Sequence, residues 1–115
     1  MAPFKVIFNL ADSEYFTALR LVAGAILSSR VDDLDALDDF KVCVTESVLI
    51  FKNCGFEEAE VTFTSGEKTV CEVRGLGGKP FAGDNELSLA LIPARVEDFD
   101  ISRRGEVIEK VSFKV

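Results

Sequence analysis

From Phe4 to Leu10 apolar and polar residues alternate, with Phe4, Val6, Phe8 and Leu10 on one side and Lys5, Ile7 and Asn9 on the other. A period of two fits a half-buried strand. The period then lengthens. Phe16, Leu19, Ala23 and Ile26 recur at helical spacing, behind Asp12 and Ser13 as N-cap candidates, which predicts a helix to about Arg30. Asp32 or Asp33 is placed to cap a second helix, with Leu37, Phe40, Val44, Val48 and Phe51 as its core stripe. Gly55 stands at its end, because glycine tolerates the left-handed backbone that closes many helices. Alternation returns from Glu58 to Thr64, with Ala59, Val61 and Phe63 inward. Ser65-Gly66 turns the chain into a second run, Lys68 to Arg74, and the pair reads as a hairpin. Glu86 to Val96 is weakly helical and is interrupted by Pro93, a residue that breaks helix interiors. Phe99 to Ser102 and Val107 to Val115 predict a closing hairpin with Arg103-Arg104-Gly105 at its tip. In the last strand Val107, Glu109, Val111, Phe113 and Val115 share a face, so Glu109 needs an edge position or a partner.

The order is β-α-α-β-β-α-β-β. Runs of strands beside runs of helices predict an α+β, two-layer α/β sandwich, with an antiparallel or mixed sheet of about five strands and helices on one face. The 115 residues suit one domain, spanning residues 1–115, and show no repeat or linker.

Composition narrows the function classes. The chain is 48% hydrophobic, enough for a real core, and its formal net charge is −7 with no His. An acidic chain without a basic stripe is a poor nucleic-acid binder, since phosphate neutralisation needs clustered Lys and Arg. It suits a basic protein surface better. No apolar run approaches the roughly 20 residues that span a bilayer. Met-Ala-Pro-Phe-Lys leads straight into the strand pattern, so no signal peptide is expected. A cytoplasmic protein is expected, with neither membrane nor nucleic acid as partner. Cys43, Cys54 and Cys71 have no metal spacing and are read as buried thiols.

The stretch Asp39-Phe-Lys-Val-Cys-Val-Thr-Glu46-Ser-Val-Leu-Ile50-Phe-Lys-Asn-Cys54-Gly-Phe56 is the most informative part of the chain. It resembles the signature helix of the GHKL (histidine kinase-like) ATPases, and is most similar to that of bacterial anti-sigma factor serine kinases, roughly K-x-x-V-S-E-A-x-x-N-x-x-x-H-x-Y. The resemblance covers nearly the whole chain. It includes the opening Phe-Lys-Val-Ile-Phe-Asn-Leu-Ala-Asp-Ser-Glu-Tyr and the segment Leu89 to Ile101. It implies a Bergerat-like sandwich, consistent with the element order.

What the resemblance implies about chemistry is mostly loss. Glu46 matches the catalytic glutamate that activates the attacking hydroxyl. Ile50 replaces the Mg²⁺-binding asparagine, and an alkyl group offers no lone pair to a hard cation. Gly75, Gly77 and Gly78 stand where the nucleotide loop D-x-G-x-G would fall, without its adenine-reading aspartate. The phosphate-cradling glycines of the lid fall near Glu86 and Ser88, and Glu86 would repel phosphate. Phosphoryl transfer depends on positioning and on metal-assisted neutralisation of charge, so no competent kinase, no bound metal and no cofactor are expected. The expected function is that of a degenerate anti-sigma-like module, a pseudo-kinase that binds a sigma factor, an anti-sigma antagonist or a second copy of itself. The resemblance implies that the partner-binding and dimer surfaces involve the first strand and helix, Phe4 to Arg30. The nucleotide pocket is expected to be collapsed, with Phe81 or Leu87 filling it.

Two other readings stand beside this one. A divergent ATP- and Mg-dependent serine kinase would need another carboxylate, such as Asp84 or Asp98. A small-ligand sensor would need a cavity beside Ile50 and Cys54. Each motif also has a plainer reading. Glu46 can be an ordinary paired helix residue, the glycines a turn, and the acidic run Asp32 to Asp39 a complement to the helix dipole or, more sharply, a dock for a basic partner.

Overall fold

Five strands hydrogen-bond in the order β1-β2-β3-β5-β4, every neighbouring pair antiparallel, in a computed structural model that describes residues 3–115. The elements are β1 (Phe4–Asn9), α1 (Glu14–Ser28), α2 (Leu34–Asn53), β2 (Glu58–Ser65), β3 (Thr69–Leu76), α3 (Glu86–Leu91), β4 (Glu97–Arg104) and β5 (Val107–Lys114). This is the predicted two-layer α+β sandwich, with the antiparallel of the two sheet types that the pattern allowed.

The period of two sorts the sheet into faces. Ala59, Val61 and Phe63 of β2 and Cys71 and Val73 of β3 are buried. The opposite face is polar and carries the cross-strand ion pairs Lys5–Glu60 (3.7 Å) and Lys110–Glu72 (3.4 Å). On the inner face Phe40 of α2 meets Phe63 at 6.0 Å and Phe113 at 5.8 Å between ring centroids. These fully buried rings couple the helix to β2 and β5. Burying each is worth about 1.5–3 kcal/mol.

Helix α2 is the axis of the helical layer. Asp33 caps it, its carboxylate accepting from the N–H of Asp35 at 2.9 Å and of Ala36 at 3.4 Å. Gly55, with φ +80°, ends it. Helix α1 lies on one side, where Phe8 of β1 makes edge contacts with Tyr15 and Phe16 at 6.2 and 6.3 Å. Ser13 does not cap α1. It takes helical dihedrals and makes no side-chain cap hydrogen bond, while Asn9 bonds the N–H of Ala11 at 2.8 Å instead.

The last strand corrects the sequence reading. Ile108, Val111 and Phe113 are its buried residues, not an unbroken alternation through Glu109. Ser102 pairs with Lys110 and Arg103 with Ile108, so Glu109 is the extra residue of a β-bulge. The bulge reverses the phase, turns Ile108 into the core and leaves Glu109 facing Arg104 at 3.4 Å. A charged residue is thus accommodated in an interior strand.

Candidate functional site

The face of α2 singled out by Glu46 and Ile50 is covered by the chain's own return. From Phe81 to Arg95 the backbone runs antiparallel to α2 and is fastened to it repeatedly. The Phe81 N–H donates to the Cys54 carbonyl at 2.8 Å, and the Cys54 thiol donates to Ala82 O at 3.3 Å. The Asn85 amide donates to Cys54 Sγ at 3.2 Å and accepts from Asn53 at 3.4 Å. Further along, the Ser88 hydroxyl donates to Glu46 Oε2 at 2.7 Å, the Cys43 thiol lies 3.8 Å from Ile92 O, and Arg95 pairs with Asp39 at 2.8 Å. As residue numbers rise along this strap, those of its α2 partners fall.

Ile50, Cys43, Ser47 and Cys54 are wholly buried beneath the strap and against the sheet. Ile92 is buried with them, whereas Phe81 and Leu87 remain 55% and 77% exposed. The expectation that Phe81 or Leu87 fills this space is therefore corrected. Helix α3 starts at Glu86, and this turns Ser88 and Ile92 inward while Leu87 points away. Ser47 spends its hydroxyl on the Cys43 carbonyl at 2.7 Å.

Glu46 is half-buried, and the hydroxyl within its reach belongs to Ser88 of the same chain. A general base needs its nucleophile at such a distance, but here the position is occupied by a structural partner. The glycines form a different neighbourhood. A side chain on Gly75 would strike Phe56 at 2.5 Å, and one on Gly78 would lie 2.4 Å from the Gly55 carbonyl. Gly77 and Gly78 have φ of +65° and +72° and form a turn packed on the end of α2. The Lys79 N–H is committed to the Gly55 carbonyl at 3.3 Å, and the Glu57 carboxylate flanks Gly77. A carboxylate at that turn opposes an anion. Glu46 is thus not brought together with Gly75, Gly77 and Gly78 in one pocket.

What Glu46 does line is a groove of about 780 Å³, beside Leu49 and Asn53 of α2 and the segment from Asp84 to Ala90. Asn53 could have been found from sequence, since it follows Glu46 by two helical turns on the same side. Asn85 carried no such signal, and Ser88, in the weakly helical segment, was singled out only as a lid position and not as a partner of Glu46. Burial pushes the Cys43 thiol up to about 12, against the pull of Arg95, and raises Cys71 as well. Thiols held neutral are poor nucleophiles and poor metal ligands. Among the described residues no cluster of three or more His, Cys, Asp or Glu is arranged to hold a metal ion, and no helix is long and apolar enough to cross a membrane.

Compared with known proteins, the chain matches no family model and no curated sequence. The likeness to anti-sigma kinases therefore rests on the residues of this chain alone.

Proposed function

We propose that this domain is a regulatory protein-binding module, anti-sigma-like in frame, that works without ATP. The observation that carries this reading is the strapped face of α2. Where the resembling kinases would seat nucleotide, this chain has a fully buried Ile50 and a hydrogen-bonded return segment. Binding nucleotide there would require detaching the strap and exposing apolar surface, with nothing at position 50 to hold a cation. For the kinase reading the groove does bring Asp84 beside Glu46, but Ile50 keeps the cation position apolar and buried. Neither Ile50 nor Cys54 lines the groove, as a sensor pocket beside them would require.

Surface features supply the positive side. Phe4, Ile7 and Tyr15 are 47%, 51% and 46% exposed at the β1 edge of the sheet. An edge strand with apolar neighbours is a ready site for pairing with another chain. A sigma factor, its antagonist or a second copy are the partners the reading favours. Calorimetric titration with ATP and ADP, with and without Mg²⁺, tests the proposal. No heat and no thermal stabilisation up to millimolar nucleotide is the expected result. Micromolar binding would overturn it and restore the serine-kinase reading.

A further inference from the structure

Beside its closed face, α2 turns a second stripe outward. Asp35, Asp39, Val42, Glu46, Leu49 and Asn53 succeed one another by alternating steps of four and three residues, and so form one line along the helix. The C-terminal half of that line is one wall of the 780 Å³ groove, and Asp84 to Ala90 form the other. Its apolar part is Leu49, Leu87 and Ala90, with Leu87 77% exposed. Its charged rim is Glu46, Asp84 and Glu86. The lysines of α2 lie on the side towards α1, Lys41 against Gly24 and Lys52 5.4 Å from the Phe16 ring. Arg95, the cation paired along this stripe, is held by Asp39.

We infer that this groove docks a basic amphipathic segment of a partner protein. Its leucines or similar side chains would cover Leu49 and Leu87, and its Lys or Arg residues would meet Glu46, Asp84 and Glu86. The inference rests on the protein-binding reading and names the partner's chemistry. Charge complementarity selects the occupant. A second copy, itself carrying a net −7, would bring like charges to the rim, and nucleic acid would be repelled. The groove has the size of an ordinary ligand site, enough for a few side chains rather than a whole domain.

The test uses a fluorescein-labelled synthetic helix of Lys and Leu at i, i+3, i+4 spacing, with a Glu/Leu helix of equal length as control, titrated against the whole chain. Binding of the basic peptide that weakens with salt is expected. Leu87→Lys combined with Glu86→Lys should weaken it by about tenfold or more. Glu67→Lys with Asp12→Lys, which changes charge at exposed sites outside the groove, should weaken it far less. Equal losses in both double variants, or no binding at all, would overturn the inference. The nucleotide titration, run on the same preparation, keeps the two readings apart. Nucleotide binding defeats the module reading whatever the peptide does, and a null titration with no peptide binding defeats only the groove.

Discussion

Gly24 sits inside α1 without a positive φ, and the nearest atoms to an added Cβ there belong to the Lys41 side chain, Cε first at 2.5 Å, the far end of a flexible side chain. Gly24→Ala is therefore expected to stabilise the fold by about 0.5–1 kcal/mol, through lower unfolded-state entropy and better helix propensity. Gly78 is the opposite case. Its φ is +72°, and the obstacle is the backbone carbonyl of Gly55 at 2.4 Å, so Gly78→Ala should cost more than about 1 kcal/mol. Urea midpoints of the two variants, on either side of the parent, check both signs. Cys43 and Cys71 give a residue-scale pH dependence. Burial raises both folded-state pKa values above the unfolded value of about 8.5. Their contribution is whole below that pH and is lost as pH rises, with Cys43 titrating only near about 12. Melting temperature measured from pH 8 upward should fall, and replacing both cysteines by Ala should flatten that slope even where it lowers the starting stability.

The strap is an element without regular structure over most of its length, and its hold on α2 is divided between packing and polar contacts. Ile92→Ala removes a wholly buried side chain and should cost about 2–5 kcal/mol. Ser88→Ala removes the hydroxyl that Glu46 accepts from and should cost about 1–3 kcal/mol. If the strap opens as a local unit, hydrogen exchange in Ser88→Ala will quicken from 81 to 95 and in α2 beneath it, while β2 and β3 keep their protection. Uniform acceleration would mean that the strap unfolds only with the whole domain. This element also marks where sequence reading stopped. Both strands of the first hairpin, both long helices, a cap at Asp32 or Asp33 and the Gly55 boundary were legible, because local period and cap chemistry determine them. The choice of Asp33 over Asp32 came only with the structure. The bulge at Glu109 was not, because it is fixed by pairing between β4 and β5 rather than by either strand's own pattern. The strap's course was not legible either. Glu46, Asn53, Asn85 and Ser88 come together only through long-range packing, and Gly75 to Gly78, which resembled a nucleotide loop, are needed for close approach to Gly55 and Phe56.

At the scale of the molecule, the two edges of the sheet differ. Strand β4 carries Glu97, Asp98, Asp100, Arg103 and Arg104, has register shifts on both sides of its centre, and places Asp98 at φ +52°. Charges and bulges of this kind discourage edge-to-edge pairing. Its outer end is held by Lys68, whose contact with Glu97 raises the lysine's pKa and lowers the glutamate's. Strand β1 has none of these defences beyond Lys5, and its register with β2 is unbroken from Phe4 to Asn9. A second copy can pair antiparallel about Ile7, setting Val6 against Phe8 and Lys5 against Asn9, with no like charges opposed. We therefore expect a concentration-dependent dimer by sedimentation, which Ile7→Lys should abolish without lowering the melting temperature measured at dilutions where the parent is monomeric. Salt dependence separates this surface from the groove. Two copies of net charge −7 repel at long range, so added salt should strengthen the dimer while it weakens a basic peptide in the groove. If both associations weakened together, both would depend on attraction between opposite charges, and β1 pairing would be excluded as the basis of the dimer.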